Sequence, residues 1–541
     1  MASDRGILAE FADLATAVRA HRGWAAAGIE GVRELIPAAR TVLVRFDPAL
    51  VSRAELERRL GDAVDGDDAA AEGPEVRIPV HYDGDDLAEA ADLLGVSAEE
   101  LVRRHLAAEW RVAFSGFAPG FGYAVSNDPL FAVPRRATPR TGVPAGAVGL
   151  AGEFTGVYPR ESPGGWQLIG RTDAVMWDPD RDPPALLVPG TRIRFERAPA
   201  RGSAVRRSSS VRTGPAGRPG GGEATEAVGA FTVIRPPLQL LIQDRGRPGY
   251  ASLGVSVSGA ADRTALRDAN RAVGNAPGAA VLEAIGAGML RYRGPASVIA
   301  FTGAEGEAWR IRPDGDEQEM VAGIPYALGD GDAIEWEAPE RGLRRVIGVR
   351  GGILAPTVLG SAASDTLADL GPAPVRADDA IAVGDPAAAP HPVQPDPLPR
   401  MLPASGEVVE LEVVLGPRDD WFTPEACRAL AEREWEVTPR SDRVGLRLHG
   451  SGLHGSGLHG PARLERAVEG ELPSEGMVTG ALQVPPDGQP VLFLADHPVT
   501  GGYPVIGCVA DGDLDLAAQL PPGARIRFRI APAPSARHPV A

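Results

Sequence analysis

Arginine stands in two dense runs in this chain, and lysine is absent from it altogether. Arg135, Arg136 and Arg140 lie among Pro134 and Pro139, while Arg245 and Arg247 follow Asp244 and precede Pro248. Without lysine there can be no Schiff base to a carbonyl cofactor such as pyridoxal phosphate, no P-loop lysine and no attachment point for biotin. Any phosphate the chain handles must be met by arginine forks, backbone N–H groups or a metal. Asp244 is placed to orient the neighbouring arginines or to hold a cation. The competing reading is ion pairing at a barrel rim, where each pair contributes about 0–1 kcal/mol.

Charge set among glycines and small residues marks further candidates in Asp442-Arg443 and Ser474-Glu475. Glu475 or Asp496 could act as a base or a metal ligand. Tyr158 and Tyr503 could each donate to a ligand oxygen, although tyrosine also packs well in a barrel wall. His105 closes a predicted helix, where a capping or structural role competes with proton transfer. No Ser-His-Asp or Cys-His arrangement can be read from spacing. His449, His454 and His459 recur at five-residue steps because Gly-Ser-Gly-Leu-His is repeated in tandem at 450–459. A helical metal pair needs i and i+4, and a Gly-rich stretch will not be helical, so this reads as a loop duplication.

The elements that must position these side chains announce themselves by repetition. Thr155-Gly156-Val157-Tyr158-Pro159 recurs as Thr500-Gly501-Gly502-Tyr503-Pro504. Each copy is preceded by a Gly-Ala-hydrophobic step, at Gly146-Ala147-Val148 and Gly480-Ala481-Leu482. Each is followed by a Pro-Gly-x-Arg-Ile-Arg-Phe block, at 189–195 and 522–528. Three matches in one order mean two copies of one structural unit. The Arg-Ile-Arg-Phe segments alternate charged and apolar residues at the period of a half-buried strand, entered from a Pro-Gly turn. Short apolar runs such as Val298–Phe301 and Val491–Leu494, bounded by Gly, Pro and Asp, predict barrels or sandwiches rather than helical bundles. Gly329–Trp336 reads as a degenerate third ending of the same kind, giving three related β-barrels.

Residues 1–75 read as a small α/β domain, with helical spacing over Leu14–Ala27 and Arg53–Leu60 and a strand at Thr41–Phe46. Residues 76–198 open on the strand Val76–Val80 and an acidic helix at Asp85–Leu94. A second helix there has Ser97 as N-cap and Glu100 three residues on, and leads into a barrel. The interval 199–228, with Ser208–Ser210 and Gly220–Gly222, has the composition of a flexible linker. A Pro/Ala-rich stretch at 386–399 divides the remainder into halves at 229–399 and 400–531. The expected fold class is mainly β with a small N-terminal α/β domain.

A length of 541 residues means several domains, and the net charge of −17 disfavours nucleic-acid binding, which wants a basic face. Cys427 and Cys508 are too few for a disulfide framework and suit a reducing compartment. No apolar run is long enough to cross a bilayer and the start carries no secretory pattern, so the expectation is a cytoplasmic protein with no membrane partner.

Two long gapped blocks identify a family. The first is Gly116-Phe117-Ala118-Pro119-Gly120-Phe121-Gly122-Tyr123, then 134–140, 143–146, 155–159, Ser162-Pro163-Gly164-Gly165-Trp166 and Ile169-Gly170-Arg171-Thr172. It resembles the B subunit of bacterial 5-oxoprolinase, the KipI or allophanate hydrolase subunit 1 family. The second is Gln243–Tyr250, followed by Ser258-Gly259-Ala260-Ala261-Asp262, Ala269-Asn270 and Gly274-Asn275. It continues through Arg350-Gly351-Gly352, Leu359-Gly360-Ser361, Ser441-Asp442-Arg443, Ser474-Glu475-Gly476 and 500–504. It resembles the C subunit of the same enzyme, the KipA or allophanate hydrolase subunit 2 family. The pattern departs at Ala124-Val125-Ser126, where the first family has Leu-Gly-Gly, at Ala261, where the second has Met, and at Gly371-Pro372-Ala373, where a longer Gly-rich run is usual.

The resemblance implies cyclophilin-like barrels in a fusion of B and C, with an A-type subunit as partner. It also implies ATP with Mg²⁺ as co-substrate and ring opening of 5-oxoproline to glutamate. Phosphorylating the lactam oxygen would make its carbon attackable by water, which calls for cations around phosphate and fixed donors near the oxyanion. On that reading Arg136, Arg245, Asp442 and Glu475 are the catalytic candidates. Arg135, Arg140, Tyr158, Arg247, Arg443, Asp496 and Tyr503 are the candidates for substrate or nucleotide binding. The same barrels also resemble the carboxyltransferase part of urea carboxylase, and the KipI name points to a sensor histidine kinase inhibitor. Self-association stays open.

Overall fold

The computed structural model describes residues 2–63, 73–136, 138–199, 226–395, 400–450 and 463–531. The stretch read as a linker lies outside them at 201–225, as does nearly all of the Gly-Ser-Gly-Leu-His duplication, at 451–459. The N-terminal unit is the antiparallel sheet Gly6–Glu10, Thr41–Phe46, Val32–Pro37, in that spatial order, with helices Leu14–Ala27 and Arg53–Asp62 packed on it. Asp13 and Ser52 cap those helices, accepting from Thr16 N at 2.8 Å and Glu55 N at 3.3 Å. Thr41–Phe46 is buried almost throughout because it is the central strand and is covered on both faces.

The expected repeat takes physical form in two barrels. The first is a seven-stranded sheet running from Gln167–Arg171 to Glu75–Val80, closed by a reciprocal backbone bridge between His81 and Arg171, at 2.9 Å in each direction. The second, within 408–530, is a closed seven-stranded barrel. In both, the Arg-Ile-Arg-Phe strand runs parallel to the strand that opens the unit: Arg192–Arg197 beside Glu75–Val80, and Arg525–Ile530 beside Val408–Leu415. Gly146 and Gly480, with φ of 79° and 90°, turn the chain into matching strands at Ala147–Ala151 and Ala481–Gln483. A fully buried tryptophan follows the helix of each barrel and donates to a carbonyl five residues back, Trp110 to His105 and Trp435 to Leu430, both at 3.0 Å.

The middle region, 229–383, differs. A seven-stranded and a five-stranded sheet face each other across one core containing Phe231, Leu290 and Trp336 from one sheet and Ile242, Phe301 and Ile347 from the other. Its Ala333–Trp336 strand is antiparallel on both edges, so the Gly329–Trp336 segment lacks the parallel pairing that defines the other two endings. Among the described residues no helix is long and apolar enough to cross a membrane.

The parts meet over an apolar seam. Ala2, Ile36 and Leu43 of the N-terminal sheet pack on Met477, Phe493 and Val505 of the second barrel. Backbone contacts flank it: Ala39 N donates to Ser474 O at 3.1 Å, Phe117 N to Thr500 Oγ1 at 2.9 Å, and Gly120 N to Leu253 O at 2.9 Å.

Candidate functional site

A cavity of about 390 Å³ opens at that seam. The N-terminal part contributes Arg5 and Arg45, and the C-terminal part Arg245, Ser258, Arg263 and Arg267 among others. Two backbone segments build its floor: Arg247 N donates to Val257 O at 2.8 Å and Ala260 N to Asp244 O at 2.9 Å. The approach is close enough that a Cβ on Gly259 would lie 2.7 Å from Gly246 N, so both positions need glycine, with φ of 85° and 78°. Arg245 and Ser258 are thereby set side by side.

Most cavity arginines are already neutralised. Arg5 pairs with Asp511 at 3.1 Å, Arg45 with Glu34 at 2.8 Å, and Arg263 with Asp511 and Asp515 at 2.8 and 3.0 Å. Arg245 is exposed and makes no ion pair with a described residue. Asp244 is not free to orient it, because its carboxylate accepts from Gly246 N, Ser361 Oγ and Ala362 N at 2.6–2.8 Å.

Under the floor lies a fully buried ionic network. Arg443 donates to both oxygens of Asp496 at 2.9 Å, to Glu283, and to Gly259 O at 2.5 Å. Asp496 also accepts from Ser258 Oγ at 2.7 Å and from Thr366 N and Oγ1 at 2.9 and 2.8 Å. Burial alone would raise the Asp496 carboxyl, but Arg443 overcomes it and the group is held below its ordinary range. Asp365, next in the network, is pushed up to about 6 by burial and by the Asp496 charge. Arg247, itself buried, reaches Asp365 at 3.9 Å and donates to Val358 O and Ala363 O, which pins the 358–365 loop.

The remaining sequence candidates are scattered. Arg136 and Arg140 converge on the buried Asp86, at 2.6 and 2.7 Å, and do not reach the cavity. Burial would raise Asp86, and the hydrogen bonds from Arg140 and Leu168 N together with the Arg140 and Arg136 charges more than offset it. Arg135 lies against Gly502 across the junction and approaches Glu471 at 4.0 Å. Tyr158 is buried in an aromatic cluster with Phe121 and Trp166, whereas its repeat partner Tyr503 is 37% exposed beneath Arg466. Asp442 is exposed and spends its carboxylate on Val444 N and Gly445 N at 2.8 and 3.1 Å, which makes it a turn residue. Glu475 is buried against Arg418, whose other nitrogen reaches Glu10 at 2.9 Å, so this triad ties the second barrel to the N-terminal sheet. A small cavity of about 110 Å³ adjoins it. His105 is a core residue, bonded to Tyr82 at 2.8 Å and Thr155 at 3.1 Å and driven down to about 3 by burial, so it stays neutral.

Sequence reasoning missed Glu283, Asp365, Arg418 and Asp86 as partners, and Ser258 as a lining residue. Only Ser258 carried a local signal, within Ser-Gly-Ala-Ala-Asp; the others are acquired across dozens to hundreds of positions. Among the described residues no three His, Cys, Asp or Glu side chains cluster as a metal site.

Two family models cover most of the chain: carboxyltransferase domain, subdomain C and D, over residues 1–187, and carboxyltransferase domain, subdomain A and B, over residues 253–530. The chain belongs to the carboxyltransferase-domain family. Its C-terminal part is 31% identical over 300 residues to the 5-oxoprolinase C subunit of Escherichia coli K12, covering 55% of this chain and 89% of that protein. Its N-terminal part is 50% identical over 123 residues to the 5-oxoprolinase B subunit of Escherichia coli O157:H7, covering 22% of this chain and 56% of that protein. Yeast urea amidolyase is 29% identical over 316 residues, which is 55% of this chain and 16% of the enzyme. The solved structure of TTHA0988 superposes with a TM-score of 0.78 at 33% identity, spanning 97% of this chain and 99% of that one. In this family member, therefore, the C–D-type part precedes the A–B-type part, and the cavity lies where the two join.

Proposed function

We propose that the chain is the fused B/C component of an ATP-dependent 5-oxoprolinase, opening the lactam of 5-oxo-L-proline to L-glutamate together with an A-type subunit. The observation that carries this is the junction cavity, lined by both a B-like and a C-like part that each resemble 5-oxoprolinase subunits. Arg245, free of carboxylate partners among the described residues, would hold an anionic group, either the substrate carboxylate or a phosphate, through its fork. ATP with Mg²⁺, as co-substrate, supplies the phosphoryl group that activates the lactam oxygen. The buried Arg443–Asp496 pair holds the floor rigid, so that Ser258 and the backbone beside Arg245 keep their places when substrate binds. Arg136, Arg140 and Glu475 act on this reading as framework, since each is bound to a charged partner away from the cavity. Mixed with the A-type subunit, ATP and Mg²⁺, the chain should release ADP at a rate that depends on 5-oxoproline; ADP release indifferent to 5-oxoproline contradicts the reading.

A carboxyltransferase reading is favoured by the family description and the yeast urea amidolyase match. With no lysine among these 541 residues, the biotin would be attached outside them. Urea-dependent consumption of carboxybiotin, supplied by a separate biotin carboxylase and carrier, would support it.

A further inference from the structure

We propose that Ser258 reads the ring N–H of a cyclic amide bound in the junction cavity, accepting a hydrogen bond at an oxygen whose own proton is committed to Asp496. The inference rests on the 5-oxoprolinase reading and adds to it the residue that tells a lactam from rings of the same shape.

Three observations carry it. First, Ser258 holds φ of 54°, a conformation that costs a non-glycine residue free energy, and it does so on the cavity floor beside Arg245. Second, the direction of its hydroxyl is fixed. Asp496, fully buried and charge-paired with Arg443, can only accept, so at 2.7 Å Ser258 Oγ is the donor. Third, no described residue donates to the Ser258 oxygen, which leaves its lone pairs for a ligand. A fixed acceptor lining the same cavity as an arginine without a described carboxylate partner matches a ligand carrying both an N–H donor and an anion. 5-Oxoproline has that arrangement, with the ring N–H one carbon from the carboxylate. Urea has the N–H donors and no anion.

The network tolerates loss of the hydroxyl, because Asp496 keeps Arg443 and both Thr366 bonds. Ser258→Ala removes the acceptor, and Ser258→Gly removes it while relieving the positive φ, which guards against a folding defect. The experiment compares 5-oxoproline with 3-oxocyclopentane-1-carboxylate, in which a CH₂ replaces the N–H, using the full chain with its A-type subunit, ATP and Mg²⁺. In the wild type the analogue should inhibit with a Ki about tenfold above the KM for 5-oxoproline, the value of one buried hydrogen bond. In both variants KM should rise about tenfold with kcat little changed, while the analogue Ki stays put, so the preference disappears. A purely structural role would move KM and Ki together. Variants that turn over 5-oxoproline and keep the wild-type preference overturn the assignment of Ser258 alone. A wild type that does not turn over 5-oxoproline at all overturns this inference together with the function it rests on.

Discussion

Arg443→Ala is the perturbation whose cost the structure defines best. The guanidinium is fully buried and serves two buried carboxylates and a carbonyl. Removing it affects them unequally. Glu283 keeps Arg344 at 3.7 Å, but Asp496 keeps only neutral donors, Ser258 and Thr366. Leaving one buried charge without its partner costs about 3–5 kcal/mol. In a domain of this size that lowers Tm by roughly 10 °C. The pH dependence follows from the shift at Asp496. In the wild type its folded pKa lies below the ordinary 3.8, so it stabilises the fold above that pH and loses the contribution as pH falls through the folded value. In the variant only the neutral donors Ser258 and Thr366 oppose burial, the folded pKa rises above 3.8, and the charge destabilises the fold at neutral pH until acid neutralises it. The Tm gap between wild type and Arg443→Ala should therefore be wide at pH 7.5 and narrower near pH 4.5, by calorimetry or circular dichroism. A gap worth less than about 1 kcal/mol, or one unchanged between the two pH values, would refute the assignment of Arg443 as the counter-charge of the cavity floor.

Other outcomes follow from the same geometry. Asp365, raised to about 6, gains from its proton on folding, and that gain is lost as pH climbs from about 4 to 6; Asp365→Asn should be more stable than wild type at pH 7.5, with the advantage vanishing at pH 4 in urea titrations. Arg245→Lys should lose most activity with a Tm change of a degree or two, because it sacrifices a fork at an exposed position; Arg140→Lys should instead reduce stability, since its fork serves both oxygens of Asp86. Cleavage at a protease site introduced near Gly221 should leave two fragments that co-elute on a sizing column, held by the Arg418–Glu10 pair and the Leu43–Met477 seam, and lose activity on dilution; fragments that separate at once contradict that contact.

The fold was more legible than the site, for a physical reason. Helix Leu14–Ala27 and strand Thr41–Phe46 fall where periodicity placed them, and Ser97 caps its helix as its spacing with Glu100 predicts, at 3.2 Å. The Gly-Ala-hydrophobic step and the Arg-Ile-Arg-Phe ending occupy equivalent places in two barrels because turns and strand endings are local properties, whereas the Thr-Gly-x-Tyr-Pro copies do not, Thr155–Val157 lying on a barrel strand and Thr500–Gly501 pairing with Glu475–Gly476 apart from the barrel strands. The middle sandwich escaped this logic, since antiparallel pairing on both edges of Ala333–Trp336 is decided by distant strands. Site residues fared worse. Arg136, Arg443 and Glu475 look alike in sequence, each a charge among small residues. What separates framework from cavity is the partner, and Asp86, Glu283 and Arg418 stand 50, 160 and 57 positions away. Repetition misled in one instance. Tyr158 and Tyr503 share a motif, yet one is core and the other half exposed at the junction.

The central claim is that the B-like and C-like parts together serve lactam opening, and L-glutamate is its direct signature. Purified chain, cognate A-type subunit, ATP, Mg²⁺ and 5-oxoproline should yield glutamate and ADP in equal amounts, with neither formed when the chain is omitted. A folded chain with its partner that produces no glutamate, while a biotin carboxylase and carrier elicit urea-dependent carboxyl transfer, would contradict the account.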